Sequence, residues 1–195
     1  MSFRVARRMD GIERTLIRRI FDGAPPGSIN LGLGQPDLAT PPRISLAGIE
    51  GIVTGKTGYT STAGDPAVRA AIAARYPGVA TGAESVVVTI GSQEAVFASA
   101  MTLVDAGDEV LVPDPGYPAY PVVARLLGAT PVPYPLRPER GFRIDPADVV
   151  SRLTTRTRLV ILCSPSNPTG AMDLETDLEV LARELESRGI PWLSD

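Results

Sequence analysis

The chain has 195 residues, 44% of them hydrophobic and 21% charged, which is enough for one sizeable core and is an ordinary globular balance. A formal net charge of −3 gives no reason to expect nucleic acid or an anionic membrane as partner, and no stretch approaches a membrane span. Histidine is absent and Cys163 is the one cysteine, which excludes His-based triads, His general bases and an internal disulfide, and leaves little from which to build a metal site.

Arg4, Arg7 and Arg8 open the chain, followed by Asp10 and Glu13. The basic run is too short and too little apolar for a secretory signal, so it reads as a solvated arm. Asp10 and Glu13 have capping-box spacing and predict a helix with Ile12, Leu16, Ile17, Ile20 and Phe21 on one face. Residues 23–42, rich in Gly and Pro, predict an extended connector. A second helix is expected from near Pro42 to Gly55. A third starts at Asp65, the N-cap, with Pro66 in the first helical position, and runs to about Tyr76.

From Ser85 onward the pattern is regular. Strand-like runs over 86–90, 109–112, 130–134, 159–163 and 191–193 mostly alternate with helix-like runs over 94–104, 119–127, 146–153 and 174–188. That alternation predicts an α/β fold, with a mostly parallel sheet and helical crossovers. Cys163, inside one apolar run, reads as a small buried hydrophobe of a cytoplasmic protein.

Four motifs follow the predicted strands and therefore belong to the carboxyl edge of one sheet, where ligands of α/β proteins bind. Gly91-Ser92-Gln93 opens a helix, so its backbone N–H groups, hydroxyl and amide suit a phosphate; a plain N-cap is the other reading. Tyr117, in the stiff loop Asp114-Pro115-Gly116-Tyr117-Pro118, could lie flat against an aromatic ligand or be a half-buried loop tyrosine. Ser164-Pro165-Ser166-Asn167-Pro168-Thr169-Gly170 holds the Asn167 amide in a tight loop that is either a site or a turn. Asp195 ends the apolar stretch 190–193, so its carboxylate would be drawn from water toward a cation, or would serve as a cap or chain end.

The loop SPSNPTG resembles that of the class I/II aminotransferases of the pyridoxal-phosphate fold type I superfamily, and four other segments agree in family order. They are Asn30-Leu31-Gly32-Leu33-Gly34-Gln35-Pro36-Asp37, similar to the family's LxxGxPD; Gly58-Tyr59-Thr60 with Gly64 and the helix through Arg69; and the Tyr117 and Asp195 segments. The resemblance implies pyridoxal 5'-phosphate as cofactor, with an amino acid and a 2-oxo acid as substrates and no nucleic acid or membrane. It assigns Gly91, Ser92 and Gln93 to the phosphate, Tyr117 to the pyridine ring, Asn167 to the phenolic oxygen and Asp195 to the pyridinium nitrogen, which makes the ring an electron sink. Gly34 and Asn167 would meet the substrate. Tyr59 would reach the phosphate of a second subunit, implying a homodimer with shared sites.

The same resemblance divides the chain into an N-terminal arm with a small-domain segment, 1–42, and the first part of the cofactor-binding large domain, 43–195. The family's Schiff-base lysine, expected beyond the aspartate, is absent. Lys56, the only lysine among 19 basic residues, precedes Tyr59 in a Gly-rich loop and reads as a surface charge. The expectation is an aminotransferase portion that is inactive alone. A β-lyase or decarboxylase-like enzyme of the same fold, a pyridoxal-phosphate-sensing module joined to a DNA-binding domain and a non-catalytic remnant are the alternatives.

Overall fold

The computed structural model describes residues 4–29, 32, 34 and 36–195, without the side chains of Leu16 and Ile17. Half of the expected LxxGxPD segment, Asn30, Leu31, Leu33 and Gln35, lies outside the described residues. The rest forms two compact units: Arg14–Thr89, and the residues before Arg14 together with Ile90–Asp195. This division by compactness falls elsewhere than the boundary expected after residue 42.

The α-helices among the described residues of Arg14–Thr89 are α1 (Leu16–Asp22), α2 (Pro42–Val53) and α3 (Pro66–Ala73). The capping box expected at Asp10 and Glu13 does not form. Gly11, at φ 76°, turns the backbone between them, and the helix starts later, with Thr15 Oγ1 accepting from Arg18 N–H at 3.4 Å. Ile20 and Phe21 are exposed within this chain. At α3 the expected cap is present: the Asp65 carboxylate accepts from the N–H groups of Ala67 and Val68 at 2.8 and 3.1 Å.

Residues 86–90 are not the strand their apolar run predicts. The Val86 carbonyl accepts from Arg69 Nε at 2.7 Å, and the Val88 N–H donates to the Ala63 carbonyl at 2.9 Å. Those backbone groups are thus satisfied by a side chain and a loop, and the segment joins no strand ladder.

Ile90–Asp195 carries the sheet, with strands β1 (Glu109–Asp114), β2 (Thr130–Pro135), β3 (Thr157–Leu162) and β4 (Trp192–Ser194), and helices α4 (Ser92–Leu103), α5 (Ala119–Leu126), α6 (Pro146–Val150) and α7 (Glu175–Ser187). All strand pairs are parallel, in the order β2-β1-β3-β4. Parallel neighbours need crossovers, and α5, α6 and α7 supply them.

Each central strand carries a continuous apolar run, 110–113 in β1 and 159–162 in β3, because both faces are covered. Val110, Val112, Leu159 and Ile161 face a core shared with Val96, Ala100, Tyr120, Val123 and Ala124 of α4 and α5. Leu111, Val160 and Leu162 face the opposite core, with Val149 of α6 and Leu181 and Leu185 of α7. The chain leaves β1 toward β2 with a helix on one face, then returns across β1 to β3 and β4 with helices on the other. The carboxyl ends of β1 and β3 therefore flank a topological switch point, the crevice where ligands of doubly wound sheets bind.

Two polar contacts tie this unit together. Pro113, paired in register with Tyr134, brings no N–H toward β3, and the Tyr134 hydroxyl reaches past it to donate to the Ile161 carbonyl at 2.8 Å. Burial and the neighbouring Asp173 push the Tyr134 phenol well above the ordinary tyrosine range, so it stays a donor. Tyr134→Phe should cost about 1–2 kcal/mol, the penalty of an orphaned buried carbonyl, read from the denaturant midpoint; an unchanged midpoint contradicts this role.

Arg137, following β2, makes a bidentate pair with Asp148 of α6, and Arg152 adds a contact at 3.3 Å. The Arg137 hydrogen bond holds the Asp148 carboxyl below the usual carboxylate range. The folded chain therefore keeps Asp148 ionised where the unfolded chain would take up a proton. This contribution is complete above the ordinary carboxylate range and is lost as pH falls through the lowered value. Asp148→Asn should cost at most about 1 kcal/mol at neutral pH. In paired melts the difference from wild type should shrink below about pH 4; a gap independent of pH would contradict the assignment.

Candidate active site

Three loops meet at the switch-point edge because three parallel strands end there. Asp114-Pro115-Gly116-Tyr117-Pro118 leaves β1, the segment 163–170 leaves β3, and Asp195 follows β4. The start of α4 lies at the same edge. Its other end leads by a short link to the start of β1 at the opposite edge, and a helix of 12 residues is about 18 Å long, close to the strand length.

Gly91 is the N-cap of α4, at φ 77° and ψ 169°, backbone geometry that admits essentially only glycine. It frees the start of the helix from a side chain. Glu94 reaches back to accept from the Ile90 N–H, while Ser92 and Gln93 occupy the first helical positions and are exposed. This places an exposed helix N-terminus with a hydroxyl and an amide at the edge, the arrangement that favours an anion.

In the β3 loop, Ser166 N–H donates to the Ala171 carbonyl at 2.8 Å and Gly170 N–H donates to the Ser166 carbonyl at 2.7 Å. Asp173 N–H donates to Ser164 Oγ at 3.0 Å, and the Asp173 carboxylate accepts from Ile144 N–H at 2.8 Å, so the loop is pinned from within and from the neighbouring segment. Asn167 is exposed at its tip, and Ser166 Oγ is buried without a hydrogen-bond partner among the described residues.

Tyr117 is half-buried and packs edge-on against Tyr120, with ring centroids 5.5 Å apart and planes at 81°. The Tyr120 hydroxyl donates to Asp195 Oδ2 at 2.6 Å. Asp195 itself is exposed, not drawn from water as its apolar approach predicts, and its N–H donates to the Leu162 carbonyl at 3.0 Å. Burial first, then the Asp195 hydrogen bond and nearby Cys163, push the Tyr120 phenol far above its ordinary range and keep it protonated.

Tyr117 and Asp195 are thus joined through one residue, while Gly91, Ser92, Gln93 and Asn167 stand on neighbouring loops of the same edge. Sequence reasoning missed Tyr120. Its signal was a tyrosine one helical turn after Tyr117 on the face of α5 that carries Val123 and Ala124.

Tyr59 is fully exposed in the other unit, Gly34 is exposed between undescribed neighbours, and Lys56 lies in the loop after α2. A trough of about 290 Å³ along β4 and α7, lined by Leu162, Leu178, Leu181, Leu185 and Trp192, holds none of the predicted site residues.

As a donor set, the edge fits a phosphorylated hydroxypyridine: a helix N-terminus for the phosphate, an amide for a ring oxygen, a tyrosine face and a carboxylate for a ring nitrogen.

The family model "aminotransferase class I and II" matches residues 26–195. The chain is 39% identical over 170 residues to a probable aspartate/prephenate aminotransferase of Aquifex aeolicus, covering 86% of this chain and 43% of that protein. It is 36% identical to the aspartate aminotransferase of Pyrococcus horikoshii, over 98% of this chain and 50% of the other. In three dimensions it is similar to the aspartate aminotransferase from Thermus thermophilus with maleate, at TM-score 0.91 and 31% identity, over 100% of this chain and 53% of that one. The chain belongs to the class I and II aminotransferase family. It spans about half the length of the curated relatives it matches.

Proposed function

We propose that this chain is the cofactor-facing portion of a pyridoxal-phosphate-dependent amino-acid aminotransferase exchanging an amino group between an amino acid and a 2-oxo acid. The observation that carries the reading is the switch-point edge, where Tyr117, Tyr120 and Asp195 form one connected cluster. When bound, pyridoxal phosphate supplies an aldehyde to take up the amino group and a protonated ring to hold the electrons of the broken Cα–H bond. The start of α4, with Gly91, Ser92 and Gln93, binds the phosphate, and Tyr117 covers the ring. The Asn167 amide orients the phenolic oxygen and the Asp195 carboxylate holds a proton on the ring nitrogen. Gly34 and Asn167 border the substrate, and Tyr59 reaches the phosphate in a second copy of the chain, so the working protein is a homodimer. Absence of a membrane-spanning helix among the described residues and the single half-buried cysteine fit a cytoplasmic setting.

The test uses the 195-residue chain with pyridoxal phosphate. Binding should depend on the phosphate, with pyridoxal held at least about 10-fold more weakly, the worth of one or two charge-assisted hydrogen bonds. Lys56 should remain unlabelled after borohydride reduction and peptide mapping, and the chain alone should transfer no amino group, because no lysine stands on the strand-end loops. Equal binding of pyridoxal would overturn the phosphate assignment. Stoichiometric labelling of Lys56 together with amino transfer would overturn the reading of Lys56 as a surface charge.

A further inference from the structure

We propose that Tyr120 is a positioning residue for Asp195, fixing which carboxylate oxygen faces the ring nitrogen of the cofactor. The proposal rests on the cofactor reading above and adds a residue to it. A carboxylate on an exposed strand end can rotate about its terminal torsion, and either oxygen could present itself. Here it is held at both ends. The Asp195 backbone is tied to β3 through its N–H to the Leu162 carbonyl, at 3.0 Å. Its Oδ2 accepts from Tyr120 at 2.6 Å, and Oδ1 has no hydrogen bond among the described residues.

The holder is itself packed into the core. Tyr120 is 1% exposed in the core under α4 and α5, and its ring is braced edge-on by Tyr117. Tyr120 N–H also donates to the Tyr117 carbonyl at 3.2 Å, so backbone and ring contacts both link the two tyrosines. The phenol O–H donates to Oδ2, so that oxygen is already occupied and Oδ1 is the one left to face a ring nitrogen. The ring-covering tyrosine and the charge partner, from separate loops, are thereby set at one distance.

The experiment compares wild type, Tyr120→Phe and Asp195→Ala in the 195-residue chain by NMR, with 4'-deoxypyridoxine phosphate carrying a 15N ring label as probe. In the free protein, the Tyr120 hydroxyl proton should be shifted downfield and protected from exchange, and should lose both properties in Asp195→Ala; an unmoved resonance overturns the proposal. With the probe, Tyr120→Phe keeps the ring and its packing. It should weaken binding by up to about 10-fold, the cost of ordering on binding one side chain that wild type already holds in place, and move the ring 15N signal of the bound probe toward the unprotonated position. A variant that melts lower yet shows the wild-type 15N position overturns positioning and leaves only a structural role. Failure of wild type to bind the probe overturns the cofactor reading, and with it the ring-facing half of this proposal. Binding with wild-type affinity and signal in Tyr120→Phe overturns the positioning role alone.

Discussion

Leu111→Ala is expected to remove about 3–5 kcal/mol of folding stability and to lower Tm by about 10 °C. Leu111 is fully buried in β1, a strand with a partner on each side, where it pairs in register with Val132 and Val160. It packs with Tyr134, Val149 and Leu181, which come from three different elements that cannot all collapse into the space it leaves. The comparison is Leu185→Ala. Leu185 is equally buried, but it borders the trough along β4 and α7, so solvent can relieve part of the void and the loss should be nearer about 2 kcal/mol. Denaturant titrations with unchanged slope would give both numbers. Equal losses, or a Leu111→Ala loss below about 1 kcal/mol, would contradict the packing described.

Gly91→Ala should cost about 1–3 kcal/mol and at the same time weaken phosphate-dependent cofactor binding by at least about 10-fold. A Cβ at this position meets nothing within 4 Å, so the penalty is purely one of backbone, at φ 77°. Relief of that strain would rotate the first turn of α4 and swing the N–H groups of Ser92 and Gln93 away from a common anion. Ser92→Ala is the control, because it removes one hydroxyl and leaves the helix start in place; it should lose affinity without losing stability. If Gly91→Ala melts with wild type, the positive φ is not required. If it melts early but binds normally, the start of α4 does not hold the phosphate.

Where residues bury both faces, the elements could be read directly. The runs that became β1 and β3 are apolar at nearly every position because each face lies under helices, and no surface loop needs that composition. The same criterion misled at 86–90, an equally apolar run whose backbone is satisfied by the Arg69 side chain and the Ala63 carbonyl. A strand is a relation between two segments, and composition describes only one. The first helix start was misplaced for a related reason: spacing of Asp10 and Glu13 was visible, but the left-handed turn at Gly11 that separates them is a backbone choice. Tyr120 escaped notice because its partner is 75 positions away and neither residue has a local pattern that names the other.

The sequence by itself determined the Asp65 cap of α3, the apolar runs of β1 and β3, the loop chemistry of 164–170 and the absence of any lysine other than Lys56, since each depends on residues within a few positions of one another. Only the tertiary structure decided the strand order that makes the ends of β1 and β3 a crevice, and the pairing of Tyr120 with Asp195 across it. Those follow from burial and register between distant segments, where the free energy of a contact depends on what the whole fold brings opposite, and local periodicity carries no record of that.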